Sequence, residues 1–156
     1  MKGANRIKER MVSESITNAI KAMAAMHNIS IKLEADQAFI NVLGDAGGLS
    51  QVFINLINNA VKFSPEGKTV EVVAARDDIE ARISIIDHGL GIPPEAVPHL
   101  FERFYRAKNV TVAEIPGSGV GLYIVKSIVD ELGGKIEVKS ELNQGTTFVV
   151  TLRLPA

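Results

Sequence analysis

The stretch Asn55-Leu56-Ile57-Asn58-Asn59-Ala60-Val61-Lys62 lies inside a strongly amphipathic pattern and sets a polar line against an apolar one. At about 100° per helical residue, Asn55, Asn59 and Lys62 share one line, while Leu49, Phe53, Leu56, Ile57 and Ala60 cluster opposite. A carboxamide oxygen ligates a hard cation without adding negative charge, and a nearby lysine holds phosphate. Together these groups suit a magnesium-bound nucleoside triphosphate. A solvated helix face accounts for the same stripe, so this helix alone leaves both readings open.

Two glycine motifs lie further along. Ala81 to Asp87 is apolar and β-branched, then breaks into Asp87-His88-Gly89-Leu90-Gly91-Ile92-Pro93-Pro94. Glycines two apart after a strand let the backbone approach a ligand and take up positive φ. A carboxylate at such a strand end can accept a hydrogen bond from an exocyclic amine, which fits adenine. Taken alone, the motif also reads as an ordinary turn with a solvated Asp87. The second motif, Gly117-Ser118-Gly119-Val120-Gly121-Leu122, runs directly into the helical spacing Leu122, Val125, Ile128, Val129, Leu132. A glycine turn feeding a helix N-terminus aims free amides outward, where they bind phosphate oxygens.

Better-known nucleotide signatures do not match. Leu122 and Ile124 stand where a dinucleotide fingerprint needs a small residue, and Lys62 stands where a P-loop ending at Gly67-Lys68-Thr69 needs glycine. Neither His-Arg-Asp nor Asp-Phe-Gly of the protein kinases occurs.

The order asparagine box, Asp-x-Gly-x-Gly, Phe-x-x-Phe and Gly-x-Gly-x-Gly resembles the catalytic ATP-binding domain of bacterial sensor histidine kinases, from about Ile16 to Leu154. That domain belongs to the ATPase superfamily shared with gyrase, the mismatch-repair MutL proteins and the large heat-shock chaperones. The resemblance implies the Bergerat ATP-binding fold, with ATP and Mg²⁺ as ligands. It makes Asn59 the magnesium ligand, Asn55 the residue beside the phosphates, and Lys62 a phosphate contact or a brace. Asp87 becomes the adenine-reading carboxylate, with Gly89 and Gly91 leaving room for the base and Ile92 following them. Leu100-Phe101-Glu102-Arg103-Phe104-Tyr105-Arg106 resembles the phenylalanine box, which brings Phe104 to the nucleotide and Arg103 or Arg106 to the terminal phosphates. Gly117, Ser118, Gly119, Val120, Gly121 and Leu122 form the phosphate-side turn, and Thr146 of Gly145-Thr146-Thr147-Phe148 lies near the base. The catalytic groups are then Asn55, Lys62, Arg103 and Arg106. The sequence departs from the family pattern at His88, where Asn is usual, and at Ser118, where Thr is common.

Composition agrees with one domain spanning 1–156, with 1–15 a remnant of, or linker from, a preceding dimerisation helix. The 156 residues are 46% hydrophobic, enough to bury a core, and the net charge of −1 offers no basic footprint for nucleic acid or an anionic membrane. Zero cysteines exclude disulfides and thiolate metal sites. No signal peptide is recognisable and no apolar run approaches the roughly 18 residues of a membrane span. The expected location is therefore cytoplasmic, without direct membrane contact by this domain, and the sequons at Asn28 and Asn109 are read as chance matches.

The periodicities predict a helix from Lys8 to Met26, strands at Ile29–Glu34 and Phe39–Leu43, and the asparagine helix capped by Asp45 and ending before Ser64. Strands at Thr69–Ala75 and Ala81–Asp87, a short helix at Pro94–Phe104, the glycine-led helix ending at Gly133-Gly134 and a hairpin of Lys135–Ser140 with Thr146–Leu154 complete the pattern. This order predicts an α/β (α+β) two-layer sandwich, a mixed, largely antiparallel sheet with its helices packed on one face. Ala107 to Pro116 fits no element and reads as a lid over the phosphates or as a plain surface loop.

None of His27, His88 and His99 stands in the acidic, basic and proline context of a phosphoacceptor histidine. The resemblance thus implies a kinase whose substrate histidine lies on a separate dimerisation domain, with a response regulator further along, and which is inactive without that domain. Clamp-type ATPases of the superfamily carry a general-base Glu where this chain has Asn55, and a carboxamide cannot take the proton. A serine kinase of the anti-sigma type and a non-catalytic nucleotide sensor share the remaining features.

Overall fold

The computed structural model describes residues 8–11, 30–35, 41–44, 46–64, 69–105 and 121–154. Alternation along the strands builds its main sheet. In β4 (Thr69–Arg76) and β5 (Glu80–Ile86), Val70, Val72, Ala74, Ala81, Ile83 and Ile85 are buried, and the residues between them are more exposed. The same alternation runs through β7 (Gly145–Arg153) at Thr146, Phe148, Val150 and Leu152. Register aligns these positions into rows: Val72, Ile85, Phe148 and Val138 form one, Ala74, Ile83, Val150 and Ile136 the next. Such cross-strand apolar pairs fix the register, since a slip by one residue would turn the core face outward.

The sheet order is β2 (Ser30–Ala35), β4, β5, β7, β6 (Lys135–Glu141), with β2 parallel to β4 and the other pairs antiparallel. Among the described residues, two helices cover its inner face. In α1 (Ala46–Phe63), Leu49, Val52, Phe53, Leu56, Ile57, Ala60 and Val61 are buried, and in α2 (Gly121–Glu131) Val125 and Val129 join the same core. This is the expected two-layer sandwich, mixed and largely antiparallel.

Helix ends follow local chemistry. The Ser64 hydroxyl donates to the Ala60 carbonyl at the end of α1. Beyond α2, Gly133 adopts a φ of 74°, its N–H donates to Asp130 O and that of Gly134 to Val129 O. These paired bonds form a Schellman cap. The β6–β7 hairpin turns through Leu142, Asn143 and Gln144, with Asn143 at a φ of 63°.

Two sequence expectations are corrected. Lys8–Met11 is not the start of a helix but a strand, β1, paired antiparallel with β3 (Asn41–Gly44) in a separate two-stranded ribbon. A partner 30 to 36 residues away overrides a weak local helix preference. The rest of that expected helix, the Asp45 cap, and Phe39 and Ile40 of the expected strand lie outside the described residues. Pro94–Phe104 is likewise not an α-helix: it holds a single 3-10 turn, Val97–His99, within a chain of i to i+3 bonds from Ala96 to Tyr105. Pro98 has no N–H to donate and disfavours the α conformation at Val97, so the segment tightens instead.

Phe53 has no exposed surface and stands at the centre of α1's buried face. Phe53→Ala should cost about 3–5 kcal/mol in a urea unfolding experiment. A loss below about 1 kcal/mol, the level of surface substitutions, would place the core elsewhere.

Candidate functional site

Asn55, Asn59 and Lys62 lie on the half-buried side of α1, opposite the buried Leu49, Phe53, Leu56, Ile57 and Ala60, as the helical spacing requires. The Asn55 Nδ2 donates to the Gln51 carbonyl at 2.9 Å, which turns its Oδ1 away from the helix backbone. Gly121, the first residue of α2, sits against that oxygen: a Cβ there would come within 3.4 Å of it. The asparagine stripe and the N-terminus of the glycine-led helix therefore meet, and the first-turn amides of α2, which an α-helix leaves without partners of its own, stand beside a carboxamide oxygen. The Asn59 side chain makes no hydrogen bond with the described residues.

At the other end, Asp87 follows β5 and is buried, with 7% of its surface exposed. Its Oδ1 accepts the Gly89 N–H at 3.0 Å and the Thr146 N–H at 3.2 Å. Oδ2 has no protein partner among the described residues. One acceptor oxygen thus fixes the carboxylate and the other remains for a ligand. Burial raises the Asp87 carboxyl above the ordinary aspartate value of 3.8, while the Gly89 and Thr146 amides and nearby His88 oppose the rise.

The loop after Asp87 is clamped on both sides. A Cβ on Gly89 would lie 2.0 Å from the Phe63 carbonyl oxygen at the end of α1, and one on Gly91 2.1 Å from the Glu141 carbonyl oxygen of β6. Gly91 also holds a φ of 70°, open to glycine at little cost. These glycines leave room for the protein's own backbone, a different reason from the space for a base expected from the sequence. Ile92 is held by its N–H, which donates to the Ser140 hydroxyl at 2.7 Å.

The phenylalanine box divides by burial. Leu100 is buried and Phe101 packs edge-on against Phe148, with ring centroids 6.3 Å apart. Phe104 is 62% exposed at a φ of 67°, and the Arg103 guanidinium lies 4.9 Å from its ring centroid and 5.8 Å from that of Tyr123 on α2. Arg103 thereby reaches from the box to the first turn of α2 by cation–π contact. Leu122 packs against the core, which leaves its backbone as the part able to face a ligand. Arg106, Gly117, Ser118, Gly119, Val120 and the lid expected at Ala107–Pro116 lie outside the described residues. His88 is exposed and pairs with Glu71 at 3.2 Å.

Sequence reasoning missed Ser140 and Tyr123. Counting back across the hairpin turn sets Ser140 opposite Thr146, a signal that was available. Tyr123 carried none, because its contact depends on how α2 packs.

Residues 44–156 match the family of histidine kinase-, DNA gyrase B- and HSP90-like ATPases. The chain belongs to that family. It is an ATP-binding catalytic domain of the kind that sensor histidine kinases carry. It is 38% identical over 131 residues to the sensor histidine kinase YkoH of Bacillus subtilis, a match covering 84% of this chain and 28% of YkoH. Among solved structures, the mycobacterial sensor histidine kinase MprB superposes with a TM-score of 0.84 at 30% identity, covering 95% of this chain and 97% of that one. Full-length ShkA, solved in complex with AMPPNP, superposes with a TM-score of 0.80 at 28% identity over 96% of this chain and 32% of ShkA. The chain spans under a third of the length of YkoH.

Asp87 sets opposite demands on stability and binding. Its folded carboxyl titrates above 3.8, so the burial penalty is fully present above the raised value and fades as pH falls toward 3.8. At neutral pH, Asp87→Asn should therefore raise the melting temperature of the nucleotide-free domain. Loss of a hydrogen bond to a charged group costs about 1.5–3 kcal/mol, so Asp87→Ala should weaken ATP roughly tenfold or more by calorimetry. In the unsubstituted domain, ATP binding should weaken on acidification earlier than an ordinary aspartate would allow. Equal ATP affinity in Asp87→Ala would overturn the base-reading assignment.

Proposed function

We propose that this domain binds Mg²⁺-ATP and presents the γ-phosphate to a histidine on a separate dimerisation domain of a sensor kinase. The observation that carries the reading is the meeting of the Asn55 carboxamide with Gly121 at the head of α2, on the same molecule as a carboxylate with one oxygen unpaired among the described residues. The first offers oxygens and amides to phosphate and metal, and the second offers an acceptor to the adenine amine. In such chemistry the protein positions reactants and neutralises charge.

Asp87 fixes the base, and the amides leading into α2 hold phosphate oxygens. Lys62 and Arg103, with Arg106, offset the charge that develops on the transferred group. Asn59, whose side chain has no hydrogen-bond partner among the described residues, fits the role of a ligand that would hold Mg²⁺. Among the described residues no cluster of three His, Cys, Asp or Glu could hold a metal, which agrees with a cation arriving with its nucleotide. Bound Mg²⁺ supplies charge neutralisation at the phosphates. The attacking imidazole nitrogen, supplied by the partner domain, must be unprotonated.

Asn55 argues against a hydrolytic clamp. Its Nδ2 is committed to Gln51 and its oxygen cannot accept a water proton at neutral pH. Among the described residues no helix is long and apolar enough to cross a membrane. We place this domain in the cytoplasm, with a response regulator reached through the full-length kinase and without nucleic acid or direct membrane contact.

The test is phosphotransfer from γ-labelled ATP, with and without the cognate dimerisation domain. The domain alone should show negligible self-labelling and slow phosphate release, and label should pass to the added histidine as an acid-labile, base-stable adduct. Asn59→Ala should abolish that transfer by removing a metal ligand. Strong acid-labile labelling of this domain alone, or brisk phosphate release without a partner, would contradict the proposal.

A further inference from the structure

Arg103 and Tyr123 come from different parts of the fold and meet through charge and ring alone. The Arg103 guanidinium lies 4.9 Å from the Phe104 ring centroid and 5.8 Å from that of Tyr123, and its N–H groups have no hydrogen-bond partner among the described residues. A ring face attracts a guanidinium without giving its N–H groups an acceptor oxygen, whereas a carboxylate takes them in a fork and offsets the charge. The cation is thus held while its donors remain available to an anion. The two rings differ in what they can fix. Phe104 is the next residue in the chain, so that contact travels with the arginine. Tyr123 belongs to the first turn of α2, so its ring ties the guanidinium to that helix.

Tyr123 also decides on which side the cation stands. Gly121 faces the Asn55 carboxamide, and two residues further along a helix the direction has turned by about 200°, so Tyr123 projects from the opposite flank of α2. A phosphate held by the first-turn amides of α2 would then have Asn55 on one flank and Arg103 on the other. We infer that Tyr123 is a positioning residue for phosphate binding: its ring holds the Arg103 guanidinium beside the head of α2, where the N–H groups meet the terminal phosphate of the nucleotide. Tyr123 acts through Arg103 and need not touch the ligand. The inference rests on the proposed reading of the head of α2 as the phosphate end of the site.

The test compares ATP with ADP, which lacks the terminal phosphate, by calorimetric titration in the presence of Mg²⁺. It is run on the unsubstituted domain, Tyr123→Leu, Tyr123→Phe, Arg103→Gln and the double variant of Tyr123→Leu with Arg103→Gln, with melting temperatures measured alongside. An exposed cation–π contact corresponds to about two- to fivefold in affinity, so Tyr123→Leu should lower the preference for ATP over ADP by that factor. Tyr123→Phe keeps the ring and should keep the preference. In the Arg103→Gln background, Tyr123→Leu should change nothing further, because the group it positions is gone. An unchanged preference in Tyr123→Leu would overturn the inference, as would an equal loss for both nucleotides, the mark of a purely structural role. A rise in ATP affinity would also overturn it, since the ring would then be holding Arg103 away from the phosphates, and so would a preference lost in Tyr123→Phe. If Tyr123→Leu does not fold, Tyr123→Ala carries the same comparison. An unsubstituted domain that binds neither nucleotide refutes the proposed function itself, whereas a preference lost in Arg103→Gln but kept in Tyr123→Leu refutes only the role of Tyr123.

Discussion

Asp87 and Thr146 are joined by backbone bonds in both directions, Asp87 N–H to Thr146 O at 2.9 Å and Thr146 N–H to Asp87 O at 3.3 Å, and by the side-chain bond from the same Thr146 amide. That linkage extends the β5–β7 ladder one step beyond Ile86 and ends it on a carboxylate. Its tightness depends on Gly145, where a Cβ would lie 2.0 Å from the Asp87 carbonyl oxygen. A buried carboxylate survives there only because two amides hold one oxygen. The close approach of Gly89 to Phe63 then presses the following loop against the end of α1, so Asp87 and the polar stripe of α1 are referred to one rigid core.

The same arrangement explains why the site is built on strained or costly features. The Asp87 carboxylate is desolvated, Phe104 holds a left-handed φ without being glycine, and Arg103 stacks on exposed rings, with no carboxylate paired to it among the described residues. Left-handed backbone at a bulky residue costs on the order of 1–3 kcal/mol. Groups held in this way are preorganised for charge that arrives with a ligand, which is the main way a protein assists phosphoryl transfer.

Much of this was legible in the sequence because it is local. The apolar line of α1 lay where its spacing put it, Gly133-Gly134 ended α2, and the hairpin alternation delivered Phe148, Val150 and Leu152 to the core. The family motifs singled out Asp87 and Asn55, the first buried beyond the end of β5 and the second set against Gly121. What escaped is long-range or depends on single atoms. Nothing in Lys8-Glu9-Arg10-Met11 announces a partner at Asn41–Gly44, and the parallel pairing of β2 with β4 is set by the sheet as a whole. Pro98 did announce the break of the short helix, but the run of apolar residues around it obscured that signal. The crowding of Gly89 and Gly91 by backbone, and the three-way bonding of Ser140, become visible only when the loop, α1 and the hairpin are assembled.

The central claim is that one end of this site reads an adenine amine while the other holds the phosphates between α1 and the head of α2. A crystal structure of the domain with Mg²⁺ and a non-hydrolysable ATP analogue tests it most directly. The account predicts the 6-amine within hydrogen-bond distance of Asp87 Oδ2, the phosphates beside Asn55 and Gly121, and the metal on the Asn59 carboxamide. A base lodged away from Asp87, or phosphates away from the Asn55–Gly121 junction, would contradict it.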